Sequence, residues 1–194
     1  MNTVELSLNE VEMTTRKAAL GAGLTLGVAE EIGRAARWLS ARGYDGLAEA
    51  VRFLTSGEQS SPDNAASVVA VLFDLDRLLS SPLRQAVCTD GLSSMPLFYG
   101  LCGAMADVVH ADIVIEAGDE IFSTAEVRLL PGFLGNIRIQ MRPKATAARA
   151  IECRPPPTTE AVLTAAAALC ARTYVPASQQ SRIRGAGAAK TDND

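Results

Sequence analysis

The sequence predicts an α+β fold, in which a helical N-terminal cap and a central hydrophobic helix pack on an antiparallel sheet and an extended C-terminal tail follows. Three observations carry this. Between Asp112 and Arg142 apolar and polar residues alternate, Ile137, Ile139 and Met141 against Arg138, Gln140 and Arg142; a period of two marks half-buried strands. Upstream, apolar residues recur at helical spacing, punctuated by glycines and a proline. Beyond Tyr174 no period survives, and Val175 and Ile183 are the large apolar residues that remain. A sheet with one apolar face needs helices over it, which joins the first two observations.

Taken in order, Ser7-Leu8-Asn9-Glu10 opens the first helix. Ser7 is placed as N-cap and Glu10 at the third helical position, the spacing of a capping box, with Leu6 and Val11 placed as a hydrophobic staple. This helix is expected to run to Gly21 or Gly23. A second, from about Thr25 to Arg42, carries the stripe Val28, Ile32, Ala35 and Leu39 and stops at Gly43. Its other face holds Glu30, Arg34 and Arg37 at spacings that pair along a helix. Trp38, the single tryptophan, lies four residues from both Arg34 and Arg42, within reach of a cation–π contact with either. A third helix starts near Asp45, turns Leu47, Val51 and Leu54 inward and ends at Gly57.

The polar run SGEQSSPDN from Ser56 to Asn64 separates this cap from the remainder of the chain. A helix from Pro62 to about Leu79 has one stripe, Val68, Leu72, Leu75 and Leu79, broadened by Val69, Phe73 and Leu78, so burial on more than one side is expected. The stretch Leu83 to Pro96 reads as loop, and Leu97 to Val109 as helix. Val127 and Leu129 alternate with Glu126 and Arg128. With turn residues at Gly118-Asp119 and Pro131-Gly132, the strands read as a meander. Ala148 to Cys153 suggests a further strand. Pro155-Pro156-Pro157 forces an extended turn, and Thr158 caps an alanine-rich helix to about Tyr174. The organisation is therefore a cap over residues 1–57, a core over 62–174 and a tail over 175–194, forming one compact unit.

The 194 residues, 48% hydrophobic and 21% charged with a net charge of -4, suit a soluble globular chain and give no basic footprint for nucleic acid. No apolar run approaches the length of a membrane span. The N-terminus lacks the basic flank and apolar centre of a signal peptide, so a cytoplasmic location is expected. Cys88, Cys102, Cys153 and Cys170 are scattered and His110 is the single histidine; neither a zinc site nor another metal or cofactor is expected, and the thiols read as free. Cys88 with His110 is the single conceivable thiol–imidazole pair, against the commoner inert cysteine.

Two stretches resemble a known family. SLNEVE followed by GLTLGVAEEIGRAARWLSARG, and the closing TYVPASQQSRIRGAGAAKTDND, are similar to the bacterial family catalogued as domain of unknown function thirty-seven twenty-six. The resemblance implies a bacterial, cytosolic protein and carries over no catalytic residue.

The candidate site residues come from the tail and the sheet. Gly185-Ala186-Gly187 offers backbone amides as an anion nest, and Ser178, Ser181, Arg182 and Arg184 add donors that hold carboxylates or phosphates; the alternative is a solvated tail. Asp192 and Asp194, with Asn193 between them, place negative charge where it reaches a cation or a basic cleft. On the sheet, Arg128, Arg138 and Arg142 with Glu116 and Glu126 either line an anion site or form cross-strand pairs on a wet face. The expected function is to bind or act on a small anionic metabolite in a cleft closed by the tail. The alternative is an accessory subunit that docks a partner, or a second copy, through the alanine-rich helix and tail.

Overall fold

The computed structural model describes residues 2–56, 62–88, 94–126, 137–144 and 154–173, and leaves aside the side chains of 62–65 and 87–88. In chain order the elements are β1 (Thr3–Val4), α1 (Leu8–Gly21), α2 (Leu26–Ser40), α3 (Gly46–Thr55), α4 (Pro62–Ser80), β2 (Gln85–Cys88), α5 (Met95–Val108), β3 (Ala111–Ala117), β4 (Glu120–Ser123), β5 (Ile137–Pro143), β6 (Thr158–Thr159) and α6 (Glu160–Ala171). This is an α+β architecture with two antiparallel sheets, a pair β1-β6 and a four-stranded sheet ordered β2-β5-β3-β4.

The helix signals are local and translate directly. The Ser7 hydroxyl accepts from the Glu10 amide at 3.2 Å, and the Glu10 carboxylate accepts from the Ser7 amide at 2.7 Å, which is the capping box. Val11 is buried, and Leu6 packs against the same core. The α2 stripe Val28, Ile32, Ala35 and Leu39 is fully inside, and Gly43 ends the turn beyond it at φ +85, a conformation that a Cβ disfavours. Asp45 caps α3 through the Ala48 amide. α1 packs on α2 and α6, and α2 on α3 and α5. One buried cluster runs from Val11 through Phe53, Leu75, Leu97, Ile113 and Ile139 to Leu169.

Several expectations change. Glu30, Arg34 and Arg37 do not pair with one another along α2. Glu30 meets Arg16, and Arg37 meets Glu12, both across to α1, while Arg34 takes Glu31. The close α1–α2 contact brings one cation and one carboxylate of α1, Arg16 and Glu12, to these partners. α4 is not enclosed on two sides: Val68, Val71, Leu75 and Leu78 are buried, but Phe73 is 67% and Val69 39% exposed. Among the described residues it lies against β2, β5, α5 and, more lightly, α2, and a broad apolar stripe does not say how many neighbours cover it. The loop expected from Leu83 contains β2, too short to show a period, which pairs with β5 from Gln85↔Gln140 to Cys88↔Ile137. Thr158 is not the α6 cap. It pairs with Val4 in β1-β6, and Thr159 caps through the Val162 amide.

The meander is corrected too. β3 and β4 form the expected hairpin at Gly118-Asp119, but β5 returns to the other side of β3, with Ile115↔Ile139 and Val114↔Gln140 in register. β3 is buried along nearly its whole length while β4 buries Phe122 and exposes Ile121. Placing the two strands richest in buried residues at the centre satisfies both. The predicted alternation of β5 holds, with Ile137, Ile139 and Met141 buried and Arg138 and Arg142 exposed. The Val127–Leu129 strand, the Pro131-Gly132 turn, the Ala148–Cys153 strand, most of the Ser56–Asn64 connector and the tail fall outside the described residues.

Candidate functional site

The residues Arg34, Arg37, Trp38, Ala41 and Arg42 recur at i, i+3, i+4, i+7 and i+8, so they share one side of α2 and its C-terminal cap. Leu8 and Glu12 of α1 face them from one wall, and Ala104, Asp107 and Val108 of α5 from the other. Together they enclose a groove of about 340 Å³, within the size range of small-molecule sites. Three guanidiniums line it against two carboxylates, so it is locally positive on a chain whose net charge is -4.

Trp38 is fixed by its neighbours. The Arg42 guanidinium carbon lies 3.6 Å from the ring centroid, a cation–π contact as the sequence suggested. Tyr99 meets the ring edge-on at 5.1 Å and 85°. Gly103 supplies the gap the indole fills, because a Cβ there would sit 2.1 Å from Trp38 Cε2. The indole Nε1 is buried and without a partner among the described residues. Arg42 also donates to the Trp38 carbonyl and to Asp107, both at 3.3 Å, and Lys144, just past β5, donates to Asp107 from the other side at 3.4 Å. Tyr99 stands behind this wall, where its hydroxyl reaches the Ser123 and Glu126 carbonyls. Burial pushes its pKa far above the ordinary phenol value, with Tyr44 adding to the rise.

Arg34 and Arg37 are held more loosely. Arg37 Nη1 donates to Glu12 at 2.9 Å and Arg34 Nη1 to Glu31, and the two arginine side chains remain 50% and 49% exposed. A guanidinium has five N–H donors, so each of these ion pairs leaves further donors on a half-exposed side chain. Planar paired donors of this kind suit carboxylates and phosphates.

The sequence candidates are placed differently. Ser178, Ser181, Arg182, Gly185, Gly187 and Arg128 lie outside the described residues. Arg138 is on the wet face of the sheet, opposite Glu116 in register and ion-paired to it at 3.4 Å. It stands six residues, roughly 20 Å of strand, from Lys144 at the groove. Arg142 donates to Gln140 on the same face. Asp112, its register partner, instead accepts from Ser123, Thr124 and the Ala125 amide, which ties down the end of β4. Asp74 pairs with Arg77 on α4, and His110 is exposed with φ +52. Cys102 and Cys170 are in no disulfide, and burial raises the pKa of the latter. Among the described residues no cluster of three or more His, Cys, Asp or Glu could hold a metal ion. None of the helices searched there is long and apolar enough to cross a membrane.

The first three helices thus form a helical unit with an arginine-lined face. Residues 6–76 match the family described as protein of unknown function (DUF3726), so the chain carries that family's domain over this span. The match covers the SLNEVE and GLTLGVAEEIGRAARWLSARG motifs and ends before α5, the sheet and the closing segment. Comparison with curated proteins and with solved structures yields no match.

Proposed function

We propose that this protein binds, or acts on, a small anionic metabolite in the groove between α1, α2 and α5. The C-terminal segment, with Ser178, Ser181, Arg182, Gly185 and Gly187, would contribute donors from outside. One observation carries the reading. Arg34 and Arg37, half exposed, line the same groove as Arg42, which lies over the Trp38 indole, and the groove is large enough for a metabolite. Local positive charge on an acidic chain favours anions at that place rather than elsewhere on the surface. The groove's carboxylates, Glu12 and Asp107, are both engaged by cations, so the geometry speaks for holding an anion more directly than for a reaction.

Trp38, the one tryptophan, reports on this groove. Titration with phosphate, citrate and simple dicarboxylates is expected to shift its emission and raise the melting temperature, since a ligand of the native state stabilises it. Arg34→Ala/Arg37→Ala should remove both effects without unfolding the chain. A panel of anions that moves neither signal, or moves them equally in the double variant, overturns the reading.

The accessory-subunit reading also has an observation behind it. Ala161, Thr164, Ala167, Ala168 and Ala171 are exposed along α6, a small-residue face that permits close approach of another helix. That reading expects the same preparations to associate with a second chain, and the association to be indifferent to Arg34 and Arg37.

A further inference from the structure

We infer that the ligand of the α1–α2–α5 groove is a monoanion with an apolar body, an arylalkyl or branched-chain carboxylate rather than a phosphate or a polycarboxylate. The inference rests on the anion reading of that groove and names its ligand class.

Helix packing sorts the groove into two ends. Arg16 meets Glu30 and Glu12 meets Arg37, so residue numbers fall along α1 as they rise along α2. The two helices are antiparallel, and continuing along both brings Leu8 level with Ala41. α5 runs the same way as α2: Gly100 lies against Ala35 and Leu39, Gly103 against Trp38, and Asp107 against Arg42. Ala104 and Val108 therefore stand at the level of Ala41 as well. Leu8, Ala41, Ala104 and Val108 make one end of the groove apolar, and Arg34 and Arg37 make the other cationic. Arg37 and Ala41 are about one helical turn apart, roughly 6 Å along the axis, which suits a body the size of a benzyl group.

Each end selects in its own way. Arg34 and Arg37 keep donors beyond their ion pairs on half-exposed side chains, and a carboxylate matches them. At the other end Val108 is 72% exposed, so an apolar group laid there takes apolar surface out of water on both partners. A second negative group finds no comparable welcome. The Arg42 side chain is 9% exposed and donates to Asp107 and to the Trp38 carbonyl, and Lys144 pairs with the same Asp107. The exposed Asp107 carboxylate repels a negative group brought beside it. A phosphate or citrate thus engages the arginines and leaves the apolar end wet. Orientation by a few polar groups and affinity from an apolar wall is the usual division in small-molecule sites.

The test titrates phenylacetate, phenylacetamide, para-carboxyphenylacetate, acetate and inorganic phosphate by calorimetry. The proteins are the full chain, Arg34→Ala/Arg37→Ala, Val108→Ser and Val108→Lys. Phenylacetate should bind the parent at least about tenfold more tightly than acetate, phosphate or para-carboxyphenylacetate. Phenylacetamide, which has the shape without the charge, should not displace it. Val108→Ser should weaken phenylacetate at least about threefold and leave acetate and phosphate unchanged. Val108→Lys puts a cation at the apolar end and should bring para-carboxyphenylacetate ahead of phenylacetate. Val108 is exposed at the last position of α5, and far-UV circular dichroism checks that both variants fold. Phosphate or para-carboxyphenylacetate binding the parent as tightly as phenylacetate, with loss in the arginine double variant and indifference to Val108→Ser, overturns the ligand class and leaves the anion site standing. Absence of binding by every anion, or binding that the arginine double variant leaves unchanged, removes the anion reading and this inference with it.

Discussion

Replacing Gly103 by alanine sets two effects against each other, and the structure decides the sign. By helix propensity alone, Gly→Ala inside α5 should stabilise by up to about 1 kcal/mol. The built Cβ, however, falls 2.1 Å from Trp38 Cε2, 2.2 Å from Cζ2 and 2.5 Å from Cδ2. Carbon atoms settle near 3.5 Å apart, so the ring would have to retreat by about 1.4 Å. It has little room, being 5% exposed, with Arg42 over its face and Tyr99 at its edge. Overpacking of this kind costs about 1–3 kcal/mol, and a rigid ring that cannot swing aside belongs at the upper end. Net of propensity, Gly103→Ala should lose about 2 kcal/mol. With a urea slope of about 2 kcal/mol/M, the midpoint falls by about 1 M. Far-UV circular dichroism is the appropriate probe, because Trp38 emission itself will change. Gly27→Ala is the control: it is also helical, has nothing within 4 Å of its Cβ, and should leave the midpoint unchanged or raise it. A Gly103→Ala midpoint at or above that of the parent would refute the close packing of α5 on Trp38.

The hydrogen bonds lead to two further outcomes. Ser7→Ala should cost about 0.5–2 kcal/mol in denaturant unfolding. Ser7's amide, and then its hydroxyl, hold the Glu10 carboxyl below its ordinary 4.5; a depressed folded-state pKa gives stability above the unfolded value that is lost as pH falls through the folded one. The difference between Ser7→Ala and the parent should therefore narrow on acidification below about pH 4.5, and a gap that widens there would refute the capping box. Tyr99→Phe removes the hydroxyl that bridges toward the Ser123 and Glu126 carbonyls and should cost about 1–3 kcal/mol. Thermal melting checks it, and an unchanged melting temperature would mean those carbonyls find water instead.

What the sequence determined by itself is what neighbours in the chain decide. The Ser7–Glu10 box, the α2 stripe, the helix start near Asp45 and the β5 alternation all rest on separations of a few residues, where backbone geometry alone dictates which side chains meet. The groove was not read as a site: helical spacing offered Trp38 a cation–π contact with Arg34 or Arg42, and the structure gives Arg42. The opposing walls were not legible. Glu12 reaches Arg37 across 25 residues and Asp107 reaches Arg42 across 65, and no period links residues that far apart. The same holds for the gap that Gly103 leaves for an indole on another helix, and for the return of β5 to the inner side of β3. It holds also for Phe73, apolar by type yet 67% exposed on α4. Tertiary structure settled these, because burial and pairing depend on which faces meet, and composition fixes only how much apolar surface there is to cover.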